Sequence, residues 1–316
     1  MTVYCYLCAG LMSPYLISQS DFPSDVLVMG GSAFEMLQGV RLYTDSCAPV
    51  AYIGEDFDDI YEEWLLRHSV SKEFLVPRDN PCPRLTMQTD GGSFTIPEKD
   101  ILPSFYPDLR LIGNAVDFDV KGVCLSTPCC DVDFWLNMYD QKGRYGFRLA
   151  WEFSESDDNS QIDTSALQQI LSYCDLWSVS IQKAACIFNI PVLETDIIAR
   201  HIAGISHSLT LLHCGEQGCI VISPDTTVRI PVIKLPEHRG RSQGFSVSTG
   251  AALYALCEGF LPAMIGIFAN TAQGYYNCQT GPIDPISYEV MREALNRVYE
   301  EYANSAGSRR KIAVEQ

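Results

Sequence analysis

Apolar runs of strand length recur along the chain and alternate with stretches of helical spacing, and this alternation limits the fold more than any single motif. The runs are Val3–Ala9, Asp25–Met29, Val50–Ile53, Gly122–Leu125, Gly146–Trp151, Leu176–Val179, Leu209–His213 and Gly218–Ile222. Half of them are continuously hydrophobic, the pattern of strands buried on both faces. Between them, helical patterns cover 32–43, 131–141, 163–173, 195–206, 245–259 and 287–302. Strands alternating with helices predict an α/β protein with a parallel sheet covered on both sides. Between Arg84 and Ile96, Asp90-Gly91-Gly92 supplies the positive φ angles of a tight turn and predicts a hairpin.

At 316 residues and 47% hydrophobic content, the chain suits one large domain. A net charge of −17 argues against nucleic-acid partners and against docking on anionic membranes. No run of about 18 uncharged apolar residues predicts a membrane span. The apolar start lacks a basic flank and meets Pro14, as a first core strand would and a signal peptide would not. Thirteen cysteines without regular spacing are read as reduced and buried, in a cytoplasmic protein.

The segment Leu235–Phe245 joins an apolar run (Val228, Ile230, Val232, Ile233) to the small-residue helix at 245–259. A glycine turn feeding a helix N-terminus directs backbone N–H groups at an anion and admits it closely. Gly240, Ser242 and Gly244 form the turn, and the Arg241 guanidinium suits a phosphate or carboxylate. A carboxylate able to take a proton is missing from it.

Four features together resemble the ribokinase/PfkB carbohydrate kinase family over roughly residues 3 to 300: Gly30-Gly31 opening a helix, Tyr52–Asp59 after a strand, the late glycine turn, and the Trp151-Glu152 pair, which looks like the Trp-Glu-Pro of fungal members. The resemblance implies a ribokinase-like three-layer sandwich with a mainly parallel central sheet, spanning 1–302. It also implies a small β lid from about 10–30 and 84–97 and a homodimer formed through the lid, while the small and charged residues of 303–316 read as a flexible tail. Ligands would then meet at the C-terminal edge of the sheet.

Against the family's Asp-Thr-x-Gly-Ala-Gly-Asp-Ala-Phe, Glu237–Phe245 aligns without a gap and puts Gln243 where the resemblance implies the catalytic base. An amide orients a hydroxyl but does not take its proton. The family's Asn-x-x-Glu falls on Ser180–Lys183, so an ammonium replaces the carboxylate that organises magnesium. The acceptor-binding Asp falls near Tyr15 and the Asn of the Gly-Gly motif falls at Glu35. The candidate catalytic residues are therefore Gln243, Glu35, Glu152 and Tyr15. Ser13, Gly30, Gly31, Glu55, Lys183 and Arg241 are expected on the substrate side. Gly215, Gly218, Gly240, Ser242, Gly244 and Asn270 are expected on the nucleotide or anion side.

Metal ligation is not expected. Cys5 and Cys8 point to opposite faces of a strand, Cys129-Cys130 lacks a second pair, and the five histidines have no ligand spacing. Asp56, Asp58 and Asp59 fit a solvated helix start. The resulting expectation is a diverged ribokinase-fold protein that binds a small polar or anionic metabolite and has lost ATP-dependent sugar or nucleoside phosphorylation. Its pocket would serve a lyase, cyclase, isomerase or hydrolase reaction. One alternative is an active kinase, needing ATP and Mg, with a substitute base such as Glu237 or Asp58. The other is a non-catalytic pseudokinase or ligand-binding regulator.

Overall fold

Tyr6–Ala9 (β1) is buried along its whole length because it runs through the middle of a sheet with helices on both sides. The computed structural model describes residues 3–18, 26–88, 94–95, 102–153, 163–232, 245–278, 282–283 and 288–314. After β1 come β2 (Tyr15–Ser18), β3 (Val26–Val28), α1 (Ser32–Arg41), β4 (Cys47–Ile53), α2 (Phe57–Arg67), β5 (Leu75–Pro77), β6 (Leu85–Gln88) and β7 (Phe94–Thr95). The middle of the chain forms α3 (Leu109–Ala115), β8 (Gly122–Thr127), α4 (Val132–Tyr145), β9 (Arg148–Phe153), α5 (Thr164–Tyr173), β10 (Leu176–Ser180), α6 (Ile181–Phe188) and α7 (Thr195–Ile205). It ends with β11 (Leu209–His213), β12 (Cys219–Ile222), β13 (Thr227–Ile230), α8 (Phe245–Cys257), α9 (Pro262–Asn277) and α10 (Tyr288–Val314).

The large sheet has nine strands in the order β13-β12-β11-β10-β9-β8-β1-β4-β5. Every pairing from β5 to β11 is parallel. The last two strands run antiparallel, because the link from His213 to Cys219 is too short for a crossover and closes a hairpin. A second sheet, β3-β2-β6-β7, is built from segments inserted after β1 and after β5. Its β6 and β7 pair antiparallel, as the hairpin reading expects.

Two cores lie on opposite faces of the large sheet. One packs α3 to α7 around Trp135, Trp151 and Trp177, each fully buried. The other packs α1, α2, α8 and α9 around Phe34, Tyr61 and Trp64. Gly39 and Gly250 let α1 and α8 meet backbone to backbone. A Cβ at Gly250 would stand 2.1 Å from the Met36 carbonyl oxygen, and one at Gly39 2.0 Å from that of Val247.

Asp58 and Asp59 lie in the first turn of α2, as the acidic cluster suggests. α10 continues beyond residue 302 to Val314. Among the described residues no helix is long and apolar enough to cross a membrane, and all thirteen cysteines are free thiols.

Candidate functional site

The C-terminal ends of β1, β8, β9, β10 and β11 form one edge of the large sheet, and polar side chains gather there inside an otherwise apolar protein. Among the described residues Glu35 and Glu152 are the two buried carboxylates, 5% and 6% exposed.

Glu35 lies in the first turn of α1. Its Oε1 accepts the Tyr15 hydroxyl of β2 at 2.6 Å and the Tyr276 hydroxyl of α9 at 2.7 Å. One carboxylate thus ties the small sheet, the helix after Gly31 and a helix near the chain's end. Burial first, then the Glu35 charge and the neighbouring Tyr276, hold the Tyr15 phenol well above its ordinary pKa, so it stays a hydrogen-bond donor.

The glycine pair sets this geometry. Gly31 caps α1 with φ at +95°, and a Cβ there would stand 2.4 Å from the Ser13 nitrogen. Gly30 leaves room for the Tyr15 ring, since a Cβ on it would lie 2.3 Å from Tyr15 Cε2. The Gly30 peptide is fixed by Tyr61, whose hydroxyl donates to Gly30 O at 2.9 Å and accepts from Gly30 N–H at 3.3 Å. Ser13 is fully buried, and its Oγ has no hydrogen-bond partner among the described residues.

Glu152, on β9, accepts three hydroxyls. Ser246 and Ser126 donate to Oε1 at 2.6 and 3.1 Å, and Thr249 donates to Oε2 at 2.6 Å. Thr249 Oγ1 is in turn 2.7 Å from Ser178 Oγ, which is 2.8 Å from His213 Nε2. His213 is 1% exposed, and burial alone pushes its imidazole down to about 3.

No protein-family model matches the sequence, and no significant match to a curated protein was found. Solved structures match nearly the whole chain. Fructokinase from Vibrio cholerae, with fructose, ADP and calcium bound, superposes with a TM-score of 0.73 at 14% identity, over 93% of this chain and 100% of that one. Adenosine kinase from Sinorhizobium meliloti gives 0.71 at 15% identity, over 92% and 99%. Ribokinase from Arabidopsis thaliana, complexed with ribose and ATP, gives 0.70 at 13% identity, over 93% and 98%. The chain has the ribokinase fold.

Within the ribokinase fold, the sequence-derived candidates separate by location. Ser13, Tyr15, Gly30, Gly31 and Glu35 come together as one cluster. Glu152 stands in a second, beneath α8. Glu55 is exposed, and its backbone N–H donates to Asn80 O. Lys183 lies in the first turn of α6, where Ser180 caps its N–H at 3.1 Å, and its Nζ stands 5.0 Å from the centre of the Phe153 ring. Asp58 is at the surface, paired with Lys72 at 3.0 Å. Gly240, Arg241, Ser242, Gln243 and Gly244, together with Glu237 and His238, lie outside the described residues.

On the nucleotide side, Gly215 has φ +57° and faces open space. Gly218 has φ +86° and backs onto the Ile230 carbonyl. Asn270 is buried, and its Nδ2 donates to the Ile230 and Pro231 carbonyls at 3.1 and 2.8 Å. The Gly215 turn is where the sequence leads one to expect a nucleotide. The Lys183 ammonium does not suit the hydrated magnesium ion that would accompany one, so no chemical step is assigned to that pair. Among the described residues no three His, Cys, Asp or Glu side chains gather closely enough to hold a metal ion.

The sequence alone does not single out Ser126, Ser178, His213, Ser246, Thr249 or Tyr276. The available signal is a hydroxyl or imidazole at the end of an apolar strand, as in Ser126, Ser178 and His213, where burial demands a partner.

Proposed function

We propose that this ribokinase-fold chain binds a small polar metabolite at the Tyr15–Glu35 cluster and carries out a reaction other than ATP-dependent phosphorylation of a sugar or nucleoside. The observation that carries this reading is the buried carboxylate of Glu35 held by two phenols, Tyr15 and Tyr276. A protonated phenol beside a carboxylate is an acid–base pair, with Tyr15 as acid and Glu35 as base. Such a pair serves lyase, cyclase, isomerase or hydrolase chemistry without a phosphate donor.

Two departures from the family pattern support it. Lys183 places a positive charge where a magnesium organiser would need a negative one, and Gln243 offers an amide where a base is needed. The fructose, ribose and inosine in the similar structures support a small-molecule ligand here. Thirteen free thiols fit a reducing compartment and so a cytoplasmic protein, and the small sheet is the surface through which a homodimer would form.

The test offers the purified chain ATP and Mg²⁺ with a panel of sugars and nucleosides, and separately measures thermal shifts with the same panel. No phosphorylated product is expected. A stabilising ligand is expected, its effect lost in Glu35→Gln and Tyr15→Phe. Phosphoryl transfer that disappears in Gln243→Ala overturns the reading.

The ADP and ATP in the similar structures favour one second reading, a retained kinase that uses ATP and Mg²⁺ with a substitute base. Turnover that survives Gln243→Ala and is lost in Glu237→Gln identifies it. Stabilisation by a ligand without any turnover identifies a non-catalytic binder.

A further inference from the structure

A row of polar side chains crosses the C-terminal edge of the sheet under α8. Ser126, Glu152 and Ser178 are register partners on β8, β9 and β10, so they face the same side. His213 stands two residues beyond Leu211, the partner of Ser178 on β11, and therefore on that side as well. Thr249 of α8 completes a continuous chain, with links of 2.8 Å from His213 Nε2 to Ser178 Oγ, 2.7 Å to Thr249 Oγ1 and 2.6 Å to Glu152 Oε2.

Counting protons fixes the direction of this chain. Each hydroxyl has one proton to give, and an ionised carboxylate only accepts. Thr249 therefore donates to Glu152, sharing its proton at most with the Phe245 carbonyl at 2.8 Å. Its oxygen then accepts from Ser178, whose proton is spent in turn. Ser178 can only accept from His213, so the imidazole proton sits on Nε2. Nδ1 is left as a bare lone pair, buried and with no hydrogen-bond partner among the described residues.

One other filling of the chain is self-consistent. In it Glu152 Oε2 carries a proton and donates to Thr249, Thr249 donates to Ser178, Ser178 donates to Nε2, and Nδ1 carries the imidazole proton. The two fillings differ by one proton gained at Nδ1 and three hops: Nε2 to Ser178, Ser178 to Thr249, and Thr249 to Glu152. No cation forms at any stage, and the charge that disappears is that of Glu152.

We propose that His213, Ser178, Thr249 and Glu152 act as one proton-accepting unit, in which Nδ1 takes up a proton and Glu152 is neutralised. Alone, the buried imidazole would be a poor base, because a cation there would be desolvated without a partner. Coupling to a carboxylate three hydrogen bonds away removes that cost. The Cys8 and Cys124 thiols that face Glu152 are held protonated by burial, as is that of Cys219, the register partner of His213. On the α8 side, His213 meets the Phe245 ring at 4.8 Å. Lys183, on α6, lies against the ring of Phe153. The inference concerns a site separate from Tyr15 and Glu35, and it stands or falls independently of the reaction proposed there.

The test uses the full chain labelled with ¹⁵N at histidine. Long-range ¹H–¹⁵N correlation spectra report which ring nitrogen of each of the five histidines is protonated, and His213 is assigned by its absence in His213→Gln. The expected result is an Nε2–H tautomer at neutral pH that converts to Nδ1–H, without an imidazolium, as the pH is lowered. Thr249→Val keeps the shape but cuts the chain and abolishes the conversion, while Thr249→Ser preserves it. Ser178→Ala cuts a different link and replaces Thr249→Val if that variant does not fold. The proposal is overturned by an Nδ1–H tautomer at neutral pH or by a titrating imidazolium. It is overturned equally by an Nε2–H tautomer unchanged until unfolding, or by a conversion that persists in the cut variants.

Discussion

The Tyr15 ring occupies the space that Gly30 leaves by having no side chain. A Cβ on residue 30 would lie 2.3, 2.4 and 2.8 Å from three carbons of that ring. The ring cannot simply slide away, because its hydroxyl is bonded to Glu35 at 2.6 Å and the Gly30 peptide is held on both sides by Tyr61. Gly30→Ala is therefore expected to destabilise the protein by about 1–3 kcal/mol, the usual cost of overpacking. Urea unfolding of Gly30→Ala, Tyr15→Ala and the double variant checks this. The two losses should be less than additive, and strict additivity would show that the ring and the glycine do not compete for the space.

The two phenols on Glu35 should be separable by measurement. Tyr15→Phe and Tyr276→Phe each remove one donor from the same carboxylate oxygen. Each is expected to cost about 1–3 kcal/mol, because a buried charged acceptor loses a partner. Removing both should cost more than the sum, since the second deletion strips an already depleted carboxylate. Unfolding midpoints of the two single variants and the double variant read this out, and a neutral Tyr276→Phe would mean the α9 link carries no energy.

Glycine-to-alanine changes should have opposite signs at different places. At Gly250 the new Cβ would stand 2.1 Å from the Met36 carbonyl oxygen, a backbone atom that moves only if α1 and α8 separate. A loss of about 1–3 kcal/mol is expected. At Gly143 in α4 and Gly204 in α7, an added Cβ would meet nothing within 4 Å. Alanine there should stabilise by about 0.4–1 kcal/mol through the unfolded chain's lost freedom. Thermal melts of the three variants decide it.

The sheet is legible in the sequence because strands buried on both faces leave few polar residues to break the hydrophobic run, as in Val50–Ile53 and Val123–Leu125. The antiparallel end of the sheet is not, since strand direction depends on the link between His213 and Cys219 and not on the composition of either strand. Helix α9 escapes a reading by periodicity for a related reason. α9 is buried along most of one continuous stretch, from Ile265 to Ala272, so it lacks the polar face that marks a helix in sequence. In the site, Glu35 is reachable through the Gly30-Gly31 pair and Tyr15 through its place a few residues after Gly10 at the end of the first strand. Tyr276, 241 residues beyond Glu35, carries no local signal, and only the packing of α9 against α1 brings it in.

Stability should fall on acidification in a window set by His213. Burial lowers the folded imidazole from its ordinary 6.5 to about 3, so between those values the unfolded chain binds a proton that the folded ring refuses. A depressed folded value means the contribution is complete above about 6.5 and is lost as the pH falls towards 3. The slope from this one group is about 1.4 kcal/mol per pH unit inside the window. Other carboxylates add their own pH dependence, so the informative quantity is the difference between wild type and His213→Gln, measured by urea unfolding across the window. The wild type is expected to lose stability more steeply than the variant. Parallel curves would show that the folded ring takes up its proton as readily as the unfolded one, and that burial does not keep His213 neutral.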